Sequence, residues 1–289
     1  MKQFQTLEDR LRAAMAGMTR TERQLASHML GNFPLSVLGS VSDLAQAAGV
    51  SGPSVVRLVR KLGFSGYPEF RTHVHQEMGE RLASPISKHE KWADFSQPDH
   101  PLHRFAASVI DNLNQTLSQQ DLREFDAVAD ILADKSRPVH LIGGRLTRAV
   151  ADYLATALHV MRSDVRLLSS LPNTWPPALL DMSGRDVLVV FDIRRYEPSM
   201  QQFAELAHAQ GVEIVLVTDR WVSPCAGMAR HILTAHVEVP SAWDTIVPLV
   251  GLVEALLSAI QDRNWQGTRE RLDRMEGFYA DMHMFKRLR

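Results

Sequence analysis

The chain is short of three things. Cys225 is its single cysteine in 289 residues, so it can form no intrachain disulfide and no thiolate zinc cluster. That usage fits a reducing compartment. It also has no long apolar run: Ile246 to Ile260 is the longest, about 15 residues with Glu254 inside it, short of a membrane span. The first residues, Met-Lys-Gln-Phe-Gln, lack the apolar core of a secretory signal. A cytoplasmic protein without membrane association is the expectation. Net charge, finally, is only -1, which argues against a chain coated in nucleic acid and confines any DNA contact to a local patch. No internal repeat or low-complexity tract is present. What the chain does have is 45% hydrophobic residues, enough to bury a substantial core and to make two domains the expectation.

The most informative stretch is Val41 to Phe70. Val41, Leu44, Ala45 and Ala48 follow the i, i+3, i+4, i+7 spacing of a short amphipathic helix, with Ser42 or Asp43 as the expected N-cap and Gly49 as its stop. The chain restarts at once. Ser51 can cap, Pro53 suits a first helical turn, and Val55, Val56, Leu58, Val59 and Leu62 supply a second apolar face that Gly63 closes. Two short helices joined by a tight glycine turn form the helix-turn-helix pattern, whose second helix enters the major groove. The same spacing also describes ordinary helical packing. Arg57, Arg60 and Lys61, with no acid among them, fit a phosphate-facing surface. The DNA-contacting candidates are therefore Ser51, Gly52, Ser54, Arg57, Arg60 and Lys61. Over the first 78 residues nine Lys and Arg face six Asp and Glu, a local charge of +3.

The run LAQAAGVSGPSVVRLVRKLGFSGYPEFR resembles the RpiR-type bacterial transcription regulators, whose second helix is followed by a Leu-Gly-Phe-Ser-Gly-Tyr-x-x-Phe tail. Here that tail is Leu62 to Phe70. The resemblance implies a small winged-like or homeodomain-like helical unit. Consistent with it, Leu7, Leu11, Ala14 and Met15 give a first helix over residues 4–16. Thr19 and Glu22 then fit a capping box for a second, with Leu25, Ala26, Met29 and Leu30 as its inner face and Asn32-Phe33-Pro34 as its break. Phe70, Val74 and Met78 close the bundle.

Residues 83–101 turn to Ser, Pro, His, Lys and Asp, the composition of a linker, interrupted by Trp92 and Phe95. Helical faces follow at Phe105, Val109, Leu113 and Leu117, then at Phe125, Val128, Ile131 and Leu132. From Pro138 short apolar runs alternate with helical stretches. Strands are expected at Val139 to Ile142, Val165 to Leu168, Asp186 to Phe191 and Val212 to Val217, with a possible addition at His231 to Leu233. Helices are expected at Arg148 to Met161 and Met200 to Gln210. That alternation implies a parallel sheet covered on both faces, with a ligand crevice at the carboxyl ends of its strands. Ile246 to Ile260 reads as a buried helix, in the core or in a dimer interface. Leu272, Met275, Tyr279 and Met282 mark a last, partner-packing helix. The expected division is a helix-turn-helix domain over 1–79, a linker and connecting helix over 80–122, an α/β domain over 123–262 and a helical extension over 263–289.

The α/β half resembles the SIS (sugar isomerase) domain, a Rossmann-like fold that follows the DNA-binding unit in RpiR-type regulators and binds a phosphorylated sugar. The overall fold class is then α plus α/β. The loops depart from the pattern. Where the family has Gly-x-Gly-x-Ser, so that bare amides and a hydroxyl cradle phosphate, this chain has Gly143-Gly144-Arg145-Leu146-Thr147. Where the family has Ser-x-Ser-Gly-x-Thr, it has Asp192-Ile193-Arg194-Arg195-Tyr196-Glu197, without a hydroxyl at the family's positions. Asp192 and Glu197 would repel a phosphate, while Arg145, Arg148, Arg194 and Arg195 could bind an anion by forked hydrogen bonds. Three readings stand: the loops bind a carboxylate or zwitterionic metabolite, they pair with one another in a site that has lost its ligand, or the arginines face solvent. The effector candidates are Gly143, Gly144, Arg145, Thr147, Arg148, Asp192, Arg194, Arg195 and Glu197.

Other candidates read as structural. His73 and His75 do not share a helix face and make no metal pair; His100, His103 and His208 have the same default. Ser169, Ser170 and Asn173 belong to a loop with Trp175 packed down, and Asp244 with Thr245 reads as a cap for the last buried helix. No catalytic residue, metal or cofactor is expected. The expected partners are an operator in double-stranded DNA, a small-molecule effector and further copies of the chain, as a dimer or tetramer. The rival is a sugar-phosphate isomerase with Glu197 or His208 as base.

Overall fold

A computed structural model describes residues 7–31, 35–37, 39–82, 84–93 and 100–284. Asn32-Phe33-Pro34 and Phe95 lie outside them. The chain divides into two compact units, residues 1–83 and 84–289.

The first unit is helical: α1 (Leu7–Ala14), α2 (Arg20–Gly31), α3 (Val41–Ala48), α4 (Gly52–Lys61) and α5 (Tyr67–Leu82). Leu7, Leu11, Leu25, Met29, Leu44, Leu58, Phe70 and Val74 meet in one core with no exposed surface beyond 1%. The expected Thr19–Glu22 box opens α2: Glu22 Oε2 accepts from the Thr19 amide at 2.8 Å, and Thr19 Oγ1 from the Glu22 amide at 3.3 Å. The cap of α3 is not Ser42 or Asp43 but Ser40. Its hydroxyl accepts from the Asp43 amide at 3.2 Å and Asp43 Oδ2 accepts from the Ser40 amide at 2.9 Å. Asp43 can answer a cap only from the third helical position, which sets the start at Val41. Gly49 ends α3 at φ 66, the left-handed turn that a side chain resists.

The second unit begins with α6 (Pro85–Ala93), α7 (Pro101–Ser118) and α8 (Leu122–Ala133). Then follow β1 (Val139–Gly143), α9 (Arg148–Met161), β2 (Val165–Leu167), α10 (Pro176–Asp181), β3 (Val187–Asp192), α11 (Pro198–Ala209), β4 (Glu213–Asp219), β5 (His231–Ala235), α12 (Val247–Arg263) and α13 (Trp265–Asp281). The five strands are parallel, in the order β2-β1-β3-β4-β5. The additional strand at 231–233 is present and runs to Ala235.

Strand side chains alternate between two cores. Val139, Leu141, Val187, Val189, Phe191, Val215 and Val217 face α8, α9 and α12; Ile142, Leu188, Val190, Ile214 and Leu216 face α10 and α11. Burial on both faces is why the strands read as continuous apolar runs. Trp175 is packed down as expected, its ring against Phe203. The Ile246 to Ile260 helix is α12: Leu249, Leu252, Val253, Leu256 and Ile260 are core, while Val247 and Glu254 are exposed. Strand order reverses between β1 and β3, so their carboxyl ends open the crevice of such a sheet. Among the described residues no helix is long and apolar enough to cross a membrane.

Candidate functional site

Two sites follow from this fold. In the first unit α4 buries Val55, Leu58 and Val59 and leaves Arg57, Arg60 and Lys61 on its outer face. Ser51 is exposed at its N-terminus and Gly52 half-buried. Ser54 corrects the expectation. It is only 7% exposed, its hydroxyl lies 2.9 Å from Ser51 Oγ, and it accepts from Arg57 Nη2 at 3.1 Å. Three residues before Arg57 and beside Val55, it lies at the rim of the buried face and steadies the arginine instead of standing out. Lys61 is also engaged: its amine donates to Gly17 O at 2.7 Å and pairs with Glu22 at 3.0 Å. Arg57 and Arg60 are thus the cations most open on this surface.

In the second unit the crevice forms where β1, β3 and β4 end. Gly143 is sterically required, since a Cβ there would sit 2.7 Å from the Arg148 nitrogen and the Thr147 carbonyl. The chain then turns into α9, presenting the Arg145 amide. That amide is already taken: it donates to Glu197 Oε1 at 3.0 Å. Thr147, expected as the cradle hydroxyl, is buried and donates to Phe191 O at 2.6 Å, tying the loop to β3. Arg148 is turned aside, Nη1 donating to Leu168 O at 2.8 Å. Arg145 is exposed, its guanidinium 5.8 Å from the Trp243 ring centroid, and Arg195 is exposed at φ 66.

Arg194 is internal. Its side chain is 2% exposed, stacked 4.0 Å over Trp221, paired with both oxygens of Asp244 and with Glu238 at 3.1 Å. Burial opposes its charge, but Asp244 and Glu238 more than offset that and hold its pKa above the ordinary value. Asp219, at the end of β4, accepts from the Arg194 amide at 2.6 Å and from Tyr196 Oη at 2.7 Å; burial raises its pKa despite these bonds. Asp192, at the end of β3, accepts from the Ser223 hydroxyl. Burial, with the charges of Asp219 and Glu197 adding, pushes its pKa up to about 7. Cys225 lies beneath it, its thiol raised by burial to about 11 and thus inert.

The structure therefore brings Gly143, Gly144, Arg145, Thr147, Asp192, Arg194 and Glu197 together, and leaves Arg148 and Arg195 at the edges. Sequence reasoning missed Lys88, Tyr196, Trp221, Ser223, Glu238 and the role of Asp244. Thr245, not Asp244, serves the start of α12, its hydroxyl accepting from the Val247 amide at 3.2 Å. Asp244 instead receives Lys88 Nζ at 2.5 Å. Asp192 and Asp219 share one signal, an acid closing an apolar strand, that could have pointed to the cluster. Among the described residues no group of His, Cys, Asp and Glu is arranged to hold a metal ion.

A helix-turn-helix unit followed by a parallel α/β unit is the domain order of a class of DNA-binding transcription regulators. Family comparisons agree: residues 5–81 match the helix-turn-helix domain of the rpiR family and residues 131–259 match the SIS domain. The chain belongs to the RpiR-type transcriptional regulators. It is 24% identical over 262 residues to the HTH-type transcriptional regulator HexR of Pseudomonas aeruginosa, covering 88% of this chain and 86% of that one. Among solved structures, the sugar isomerase domain of an RpiR transcription factor from Sphaerobacter thermophilus matches with a TM-score of 0.56 and 26% identity. That match covers 61% of this chain and 97% of that one. The Vibrio vulnificus NanR protein complexed with ManNAc-6P matches with a TM-score of 0.56 and 20% identity, over 96% of this chain and 99% of that one.

Proposed function

We propose that this regulator docks α4 in the major groove of operator half-sites and senses a small anionic metabolite in the crevice at the ends of β1 and β3. Ser51, Gly52, Arg57 and Arg60 face the DNA, Lys61 lies at the edge, and Ser54 positions Arg57. Effector occupancy biases the spacing of the two reading helices in a homo-oligomer. The observation that carries the effector reading is the anion already seated at the start of α9: the Arg145 amide holds Glu197, so the turn is built to receive negative charge. A phosphorylated sugar, a sugar acid or another carboxylate would replace that side chain and meet Arg145 and Arg195 at the mouth. A thermal-shift screen over phosphosugars, sugar acids and amino acids tests this; a stabilising class identifies the effector chemistry.

A second reading has its own observation. Arg194, the cation nearest the centre, is fully consumed by Asp244 and Glu238, as in a structural α/β core that needs no ligand. Absence of stabilisation by every class in the screen would favour it. Isomerase chemistry has little support. Glu197 is spent on the Arg145 amide, and His208 is exposed in the last turn of α11, about 16 Å along the helix from Glu197. Glu197 and His208 are therefore not placed together as an acid and base pair.

A further inference from the structure

The helix α6 lies outside the stretch that matches the SIS domain, yet it supplies a residue to the crevice. It is the first element of the second unit and follows α5 in the chain with two residues between, α5 ending at Leu82 and α6 starting at Pro85. Among its described side chains Lys88 is the one that is buried, at 5% exposure, while Ile86, Ser87, His89 and Glu90 are exposed. A lysine is seldom enclosed without a partner. Here the partner is Asp244, 2.5 Å from the Lys88 amine, and the same carboxylate accepts from Arg194 Nε at 3.0 Å. One acid therefore holds two cations from different elements. A helix whose one buried described side chain sits in a shared ion pair, with Pro85 and Trp92 half-buried one turn to either side, is held in part by a contact that charge can loosen.

We propose that Lys88 is the contact through which the effector crevice is coupled to the segment leading to the DNA-binding unit. Asp244 divides itself between Arg194 and Lys88, so an anion that displaces Glu197 and shifts the loop carrying Arg194 alters the partner of Lys88 and the seating of α6. This rests on the sensing role given above to the same crevice, and it adds a residue that neither family match covers.

The test uses the full chain and the variants Lys88→Met and Asp244→Asn. Amide hydrogen exchange is read over 85–93, with α12 as the internal control for folding, and affinity is measured for a duplex selected from random DNA by the wild type. Both variants should speed exchange over 85–93 by about tenfold or more while α12 stays protected, and both should change duplex affinity by about threefold or more. Exchange within about twofold of wild type in Lys88→Met shows that the ion pair does not seat α6 and overturns the proposal. Released α6 with unchanged duplex affinity overturns the coupling. If the wild type selects no duplex, the DNA-binding reading fails separately, and the exchange measurement still decides whether Lys88 seats α6.

Discussion

Glu197 Oε1 lies 3.0 Å from the amide nitrogen of Arg145, so a carboxylate of the chain itself occupies the anion position at the start of α9. A Cβ built on Gly144 would come 3.1 Å from that same oxygen, which shows how closely the side chain is fitted to the turn. An effector must therefore compete with a tethered anion, whose effective concentration is high. Weak affinity for simple phosphates follows from this arrangement.

Removing the competitor should reveal the cradle. In Glu197→Ala the Arg145 amide loses its partner and a charge that opposes anions disappears. Inorganic phosphate should bind about tenfold or more tightly than to wild type, measured by calorimetry. Equal affinity in the two proteins would show that the turn does not select anions.

The DNA surface rests on Arg57 and Arg60. Charge reversal in Arg57→Glu should weaken binding to the selected duplex by at least about tenfold and lower the salt dependence of what remains. Circular dichroism should be unchanged, because Arg57 is exposed. Ser54→Ala should have a smaller effect in the same direction, since it removes one hydrogen bond to the Arg57 side chain. A Ser54→Ala loss equal to that of Arg57→Glu would argue that Ser54 itself meets the DNA.

Gly143 is where the first strand must pass closest to the helix that follows it. Gly143→Ala puts a methyl group 2.7 Å from backbone atoms of Thr147 and Arg148, and backbone cannot move aside cheaply. The variant should be destabilised by about 1–3 kcal/mol in urea unfolding. Gly227→Ala, where a Cβ would meet nothing within 4 Å, should stay close to wild type.

How much of this was legible in the chain varies with the range of the interaction. The helix-turn-helix and the parallel sheet rest on local periodicity and on glycines such as Gly49, all visible within a few residues. So were the places where the site forms, because Gly143 and Asp192 close apolar strands. What the site does with its charges was not visible. Lys88 and Asp244 are 156 positions apart, and an acid that caps a helix looks the same in sequence as one that pairs with a remote lysine. The supporting role of Ser54, and the capping of α3 by Ser40 instead of the expected Ser42 or Asp43, were missed by smaller margins. A hydroxyl at a helix start can face solvent, accept from the backbone or support a neighbour, and only packing decides.

Asp192 gives the second unit a pH dependence whose sign can be worked out. Its pKa rises from an ordinary 3.8 to about 7 in the folded chain, chiefly through burial. Between these values the folded state holds a proton that the unfolded state has released, so stability is greatest below about 4 as far as this group is concerned and declines as pH rises through 7. Above that the decline levels off, with an overall cost of a few kcal/mol. Asp192→Asn keeps an oxygen that can accept from Ser223 and removes the ionisation. It should match the wild type near pH 4 and exceed it at pH 8, by urea unfolding at both values. The two curves running parallel from pH 4 to pH 8 would mean that Asp192 is ionised at no greater cost folded than unfolded. The enclosing packing of Ser223 and Cys225 would then have to open readily enough to admit water.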